Sequence, residues 1–353
     1  MLAEYIRPRN PRLAELLLEG RFVDDLGDSD KDLKTVQNLI KAADELFESV
    51  GWSVKGYSVS GSDPHPDVTT DGVSVDVGGM TWYPLIDCVA VKIPPLHFGK
   101  KSRGKLVVGT EVFDGSFEDL KKFVPKKLSR RQVISKFSSI FDMYGKLEPV
   151  RAKMKLDARS ATEETEGWDG EITQSLRDRW CENFWRLQKL KGLKFQRARI
   201  PLDAADTNLY LVGCVDAASQ LKIAGVWARF KRKNGKFSCQ LVIGRSLLSR
   251  KDGTIPKEEL ESMTMGSNLL WICRRALEGW LKDYMLCGDS VITICWVTSE
   301  NKRLSLFHRN RVVQIRFHTE LDKIFHLRTE HNPTDIGTRP DSVKETDGGP
   351  DFT

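Results

Sequence analysis

The spacing of apolar positions changes from one stretch of the chain to the next, and these changes outline its elements. Between residues 30 and 51, Leu33, Val36, Leu39, Ile40, Ala43, Leu46 and Phe47 recur at helical intervals, so a helix is predicted there, ended by Gly51. Ahead of it, RFVDDLGDS (21–29) is an apolar pair running into acidic turn residues. Behind it, WSVKGYSV (52–59) and GVSVDVGGMTWYPLIDCVAVKI (72–93) are β-type runs, the second read as a hairpin with a Tyr83-Pro84 turn. Residues 126–200 carry helical patterns. Ser129 is placed to cap one helix, whose Val133, Phe137, Ile140 and Phe141 would share a face. ARSATEETEGWDGE (158–171) reads as an acidic loop, and LRDRWCENFWRLQKL (176–190) as a Trp-rich amphipathic helix. Beyond residue 201, LYLVGCV, IAGVWARF and FSCQLVIG are three consecutive strands. A long helix follows over 255–281, with Thr254 at its N-cap and Pro256 in its first turn. VITICWV (291–297) is a strand by propensity alone. The polar tail, 341–353, is expected to be disordered.

Length and composition suit two or three intracellular domains that are not secreted. No apolar run reaches the roughly 20 residues a membrane helix needs, and the N-terminus has no signal-peptide core. The seven cysteines show no C-x-x-C spacing, which favours reduced structural thiols. The net charge of +6 is modest, but its basic residues cluster at 97–105, 121–131 and 228–236. Runs of that kind displace counterions along a phosphate backbone, although solvated loops would look the same.

Asp24 and Asp25 are ordinary turn residues on their own. Their setting is less ordinary: an apolar pair, two aspartates, an amphipathic helix, then a hairpin around Trp82. That order resembles the back half of a reverse-transcriptase palm. The resemblance implies that Asp24 and Asp25 are a magnesium-holding pair and the Trp82 region a primer grip. The palm's remaining aspartate and the fingers lie upstream in that family, so the chain is expected not to extend a primer.

The stretch 127–156 is more specific. Leu128, Arg130, Arg131, Gln132, Val133, Ser135, Lys136, Ile140, Phe141, Asp142, Gly145, Leu147 and Pro149 resemble a helix that Bel/Pao retrotransposon polyproteins carry between polymerase and ribonuclease H parts. Met143-Tyr144 departs from the usual Pro-Leu. The resemblance covers roughly residues 20–340. It implies a palm remnant over 1–125, a helical thumb or connection over 126–200 and a ribonuclease H-like domain over 201–340. The implied fold class is α+β and α/β, ending in a mixed five-stranded sheet flanked by helices.

Ribonuclease H-like folds hold two divalent ions with carboxylates from four separate elements. The matching positions are Asp216 in Val-Asp-Ala-Ala-Ser, Glu259 in Thr-Ile-Pro-Lys-Glu-Glu-Leu, Asp289 in Gly-Asp-Ser and Asp335 in Asn-Pro-Thr-Asp. The family pattern selects Glu259 over Glu258 and Glu261. It also places a helix after Asp289, against propensity, with Ser290 as its cap. His331 is an auxiliary candidate. Hard oxygen ligands favour Mg2+ or Mn2+, and the implied reaction is cleavage of RNA in RNA–DNA hybrids. The four carboxylates should converge within about 10 Å of one point, given ligands at about 2–2.5 Å from two ions. Arg130, Arg131, Lys136, Arg229, Arg232 and Lys233 are the nucleic-acid-binding candidates. Other polyprotein segments are further candidate partners, and no membrane is. The competing expectation is a retroelement relic that binds nucleic acid without cleaving it.

Overall fold

The computed structural model describes residues 2–22, 25–30, 32–98, 115–201, 203–300 and 303–339, with backbone at 345–346 and 349–350. Asp24, most of the 97–105 basic run and most of the tail lie outside the described residues. The chain divides into two compact units, Met1–Lys92 with Lys194–Arg197, and Ile93–Leu193 with Ala198–Thr353. The three-part division expected from the sequence does not coincide with this grouping, since residues 126–193 fall in one unit with the strands after 201. Among the described residues no helix is long and apolar enough to cross a membrane.

The first unit opens with α1 (Leu2–Ile6) and α2 (Pro11–Glu19), the latter capped by the Asn10 side chain, which accepts from the Leu13 amide. A two-stranded antiparallel ribbon follows, β1 (Arg21–Phe22) and β2 (Asp25–Leu26). The predicted helix is α3 (Leu33–Ser49), with Asp32 accepting from the Lys34 and Thr35 amides and Gly51 at φ 77° behind it. Leu39, Ala43, Leu46 and Phe47 pack with Leu13 of α2, as apolar spacing requires.

The run 52–59 forms no strand. Its β-formers have no ladder to join, and propensity without a partner does not make a sheet. The 72–93 stretch gives three strands instead of one hairpin: β3 (Val75–Val77), β4 (Met80–Tyr83) and β5 (Cys88–Val91). Gly78 and Gly79 make the first turn at φ 56° and 76°, a backbone only glycine enters freely. The Tyr83-Pro84 segment makes the second. A fourth strand, β6 (Lys194–Gln196), pairs antiparallel with β5 from inside the stretch expected to be helical.

The second unit begins with α4 (Phe117–Phe123), α5 (Arg130–Ser138), α6 (Glu148–Glu164) and α7 (Gln174–Lys189). Ser129 caps α5 through a reciprocal pair with Gln132. The helix stops at Ser138, so Val133 and Ile140 are buried while Phe141 is 44% exposed and leaves the expected face. Half of the expected acidic loop is helix: α6 runs to Glu164 because Ala158 and Ala161, three residues apart, lie buried on one face.

The sheet comprises β7 (Leu209–Ala217), β8 (Leu221–Lys231) and β9 (Phe237–Leu248), then, after α8 (Ile255–Ala276), β10 (Leu281–Gly288). After α9 (Val291–Thr298) and α10 (Leu306–His318) come β11 (Ile324–His326) and α11 (Asp335–Thr338). Its order is β11-β10-β7-β8-β9, with β7 to β9 antiparallel and β10 and β11 parallel to β7. This mixed five-stranded sheet flanked by helices is the ribonuclease H-like architecture that the resemblance implied. The helix after Asp289 is present despite β-branched composition, because the Ser290 hydroxyl accepts from the Thr293 amide and starts it.

Leu209, Leu211 and Val215 of β7, Val226 of β8 and Leu286 of β10 form the core with Leu260, Met263 and Leu270 of α8. Gly266 permits the close approach of α8, since a Cβ there would stand 2.3 Å from Val215 Cγ1. At the far edge the 127–156 motif docks on β9. The Gly244 amide donates to the Tyr144 carbonyl at 2.9 Å, and a Cβ on Gly145 (φ 66°) would strike the Gly244 carbonyl at 1.9 Å. Glu148, at the start of α6, accepts from the Ser246 amide at 2.9 Å and from Lys155 Nζ at 2.7 Å. The glycine of that motif is therefore a packing requirement.

Candidate active site

Asp216 sits near the end of β7, opposite Ile223 of β8, and is only 8% exposed. Val215 and Gly288 are register partners in the parallel β7–β10 pair, so Asp289, the next residue, leaves its strand level with Asp216. Cys214 and Cys287 are partners one rung earlier, which puts the side-chain faces in phase. Parallel alignment thus brings residues 216 and 289 to the same end and the same face of the sheet, as the site requires.

Glu259 comes from the start of the second turn of α8 rather than the expected first. Its Oε2 accepts a hydrogen bond from the Ser290 hydroxyl at the start of α9. The neighbouring acids are directed elsewhere: Glu258 and Glu261 both pair with Lys222 of β8. Asp335 begins α11. The segment that carries it is tied to β7 by Asn332, whose Nδ2 donates to the Val215 carbonyl at 2.9 Å. Asn332 Oδ1 accepts from the Thr334 amide and hydroxyl at 3.2 and 2.6 Å, shaping the turn that precedes Asp335. Thr338, one helical turn on, donates to Asp216 Oδ2.

The electrostatics agree with this gathering. Burial raises the pKa of Asp216, and the charges of Asp289 and Asp335 push it the same way against the Thr338 hydrogen bond. Burial likewise raises Glu259, with the charges of Asp289 and Asp216 adding to it against the bond from Ser290. Asp216 thus feels Asp289 and Asp335, and Glu259 feels Asp289 and Asp216, across separate elements.

Their donor set fits a hard divalent cation: oxygen only, mostly carboxylate, with repulsion that a cation would relieve. Among the described residues, though, no three Asp, Glu, His or Cys side chains stand close enough to share one ion. Each acid is instead held by a neighbour. Asp216 has Thr338, Glu259 has Ser290, Asp289 accepts from Thr329 Oγ1 at 2.9 Å, and Asp335 pairs with Arg339 Nη2 at 3.0 Å.

The sequence named the acids but not most of these partners. The roles of Thr329, Thr338, Asn332 and Lys222 depend on contacts distant in sequence. His331 is exposed, four residues before Asp335. In the other unit, Asp25 Oδ2 accepts from the Gly78 amide at 3.0 Å, and Trp82 Nε1 donates to Asp87 at 3.2 Å.

The basic candidates differ in how free they are. Arg131 forms a bidentate pair with Asp169 at 2.8 and 3.0 Å, and Arg130 lies over Trp168 at 4.8 Å. Arg232 is paired with Asp203 at 2.6 Å, Arg229 lies over Phe237 at 3.6 Å, and Lys136 is 5.5 Å from the Phe98 ring. Lys233 is exposed at the β8–β9 turn.

A mixed five-stranded sheet with acids gathered at the ends of β7, β10, α8 and α11 defines a ribonuclease H-like domain. Residues 129–290 match the family model of the Pao retrotransposon-like RNaseH-like domain. The match opens at the capping Ser129 and closes at Ser290, spanning Asp216, Glu259 and Asp289. The chain is also similar to a foamy viral protease-reverse transcriptase solved with double-stranded DNA: 12% identity over 91% of this chain and 48% of that one, at a TM-score of 0.44. It thus spans about half that protein's length. RNase H1 from Halobacterium salinarum NRC-1 is 15% identical over 35% of this chain and 87% of its own, at a TM-score of 0.23. No curated protein matches the chain.

Proposed function

We propose that the chain is a retrotransposon-derived endonuclease that hydrolyses the RNA strand of RNA–DNA hybrids with Mg2+ or Mn2+. The observation that carries this reading is geometric: the in-register parallel pair β7–β10 brings Asp216 and Asp289 to one end of the sheet, Ser290 at the start of α9 donates to Glu259, and Thr338 of the helix that Asp335 begins donates to Asp216. Acids gathered where burial raises their proton affinity mark functional sites more often than structural ones.

Asp216 and Asp289, side by side on parallel strands, would hold the ions from the sheet, with Glu259 and Asp335 closing the site from α8 and α11. Bound divalent ions supply activation of a water and stabilisation of the leaving 3′ oxygen. Thr338, Ser290 and Thr329 hold three of the carboxylates, and Asn332 sets the turn before Asp335. Preference for RNA would rest on 2′-hydroxyl contacts in the minor groove. Lys233 and Arg229 at the β8–β9 turn, with Arg232 once released from Asp203, would follow phosphates.

We further assign residues 1–125 as a reverse-transcriptase palm remnant, with β3 to β5 in the place of a primer grip, 126–200 as a connection and 201–340 as the hydrolytic domain. A second reading, a nucleic-acid-binding relic, is favoured by one observation: no three of the acids stand close enough to share an ion. Incubating the full chain with end-labelled hybrid, duplex DNA and duplex RNA separates the two. Magnesium-dependent cuts confined to the RNA of the hybrid support the enzyme. Binding without cleavage in either Mg2+ or Mn2+ supports the relic.

A further inference from the structure

The first two turns of α8 carry three acids, and only Glu259 reaches toward the other carboxylates. Glu258 is 1% exposed and its Oε2 lies 2.7 Å from Lys222 Nζ; the same ammonium holds Glu261. Glu261 is also gripped by Arg250 at 2.5 Å and Arg311 at 2.6 Å, and Arg250 stands 3.6 Å from Glu258. Gly253 leaves the room, since a Cβ there would lie 2.2 Å from Glu258 Oε1. Lys222 itself comes from β8, paired in register with Ala217, the residue after Asp216.

Buried ion pairs of this kind are poor sources of stability, because an apolar pair of similar volume often serves as well. Their position explains this one better. Successive residues of a helix are turned by about 100°, so Glu258 and Glu261 fall close together on one side of α8 while Glu259 faces away from it. Gripping the first two fixes the roll of the helix. Lys222, Arg250 and Arg311 pair with Glu258 and Glu261, and among the described residues Glu259 has no ion pair.

We infer that Lys222 is a positioning residue: by holding Glu258 and Glu261 it sets the roll of α8 that points Glu259 at Ser290 and the carboxylates of Asp216 and Asp289. The inference deepens the hydrolytic reading proposed above and rests on it.

The test uses the full chain, with Lys222→Met, Lys222→Arg and the double change Lys222→Met/Glu258→Leu, which replaces the buried ion pair by an apolar one. The Mg2+ concentration for half-maximal hybrid cleavage should rise about tenfold or more in Lys222→Met, as outer partners of ligands typically require. Hybrid affinity should stay unchanged, and Lys222→Arg should restore most of the shift. The double variant covers the case in which Lys222→Met folds poorly. It should fold and still need the extra Mg2+. A double variant with the parent's Mg2+ requirement overturns the inference. If the parent cleaves no hybrid, the hydrolytic reading fails instead. The positioning is then read from hydrogen exchange at the amides of 258–261: faster exchange in Lys222→Met with the rest of α8 unchanged supports it, and no change overturns it.

Discussion

Two of the places where charge is buried around the sheet are built on opposite plans. Along β9, where the 127–156 motif docks, Glu148 is matched by Lys155 and Arg151 and accepts from Ser246 as well. At the ends of β7 and β10, like charges gather, and the chain offers them hydroxyls and a single arginine in place of matching cations. The first arrangement surrounds Glu148 with opposite charge and hydrogen-bond donors and holds an element in place. The second leaves a deficit that an outside cation would fill. Matched burial reads as architecture and unmatched burial as chemistry.

The largest expected effect lies in the unmatched group. Asp216→Asn or Asp289→Asn should reduce magnesium-dependent hybrid cleavage by at least about 100-fold, with hybrid binding kept because its basic residues lie elsewhere. Gel-shift and cleavage assays on the same preparations check both. Equal loss of binding would erase the distinction between the two regions.

Next is the matched group. Glu148→Gln leaves Lys155 buried beside one fewer negative charge, so unfolding free energy should fall by about 3 kcal/mol, measured by urea titration. Activity of the folded fraction should persist. A change in the Mg2+ requirement would mean that the seam also serves the chemistry.

Lys146 is the exception on that seam. Burial pushes its pKa down to about 7, with the Arg199 charge adding to the shift and Asp142 opposing it. An unfolded lysine titrates near 10.4. Between those values the unfolded chain holds a proton that the folded chain lacks, so stability should rise with pH, by at most about 1.4 kcal/mol per pH unit. Lys146→Met should remove that slope between about pH 7 and 10. An unchanged slope would place the titration elsewhere.

The smallest effect concerns nucleic-acid contact. Lys233→Ala should weaken hybrid binding and lower the magnitude of the logarithmic salt slope by about 0.9, and Arg232→Ala by less, since Arg232 is already paired with Asp203. Equal effects would show that this pair opens on binding.

Much of this was legible in the chain itself. Periodicity gave α3, the three strands β7 to β9 and α8, because each buries one regular face. The helix after Asp289 was legible only through the resemblance, since VITICWV argues for a strand by propensity and the cap at Ser290 decides against it. Where periodicity misled, the cause was a distant partner. WSVKGYSV finds no ladder, while Lys194–Gln196 finds one in β5. The four acids could be named from local motifs. Their supports could not: Lys222 meets Glu258 across 36 residues and Thr338 meets Asp216 across 122. Asn332 sits inside a motif, yet its bond to the Val215 carbonyl shows only in the folded chain.

Everything above turns on whether the four carboxylates act together on divalent ions. Titration of the full chain with Mn2+, followed by electron paramagnetic resonance in the presence of hybrid, tests this most directly. Binding should be saturable, lost in Asp216→Asn and in Asp289→Asn and kept in Glu148→Gln. Mn2+ binding that is the same in all four proteins, or absent from the parent, would contradict it.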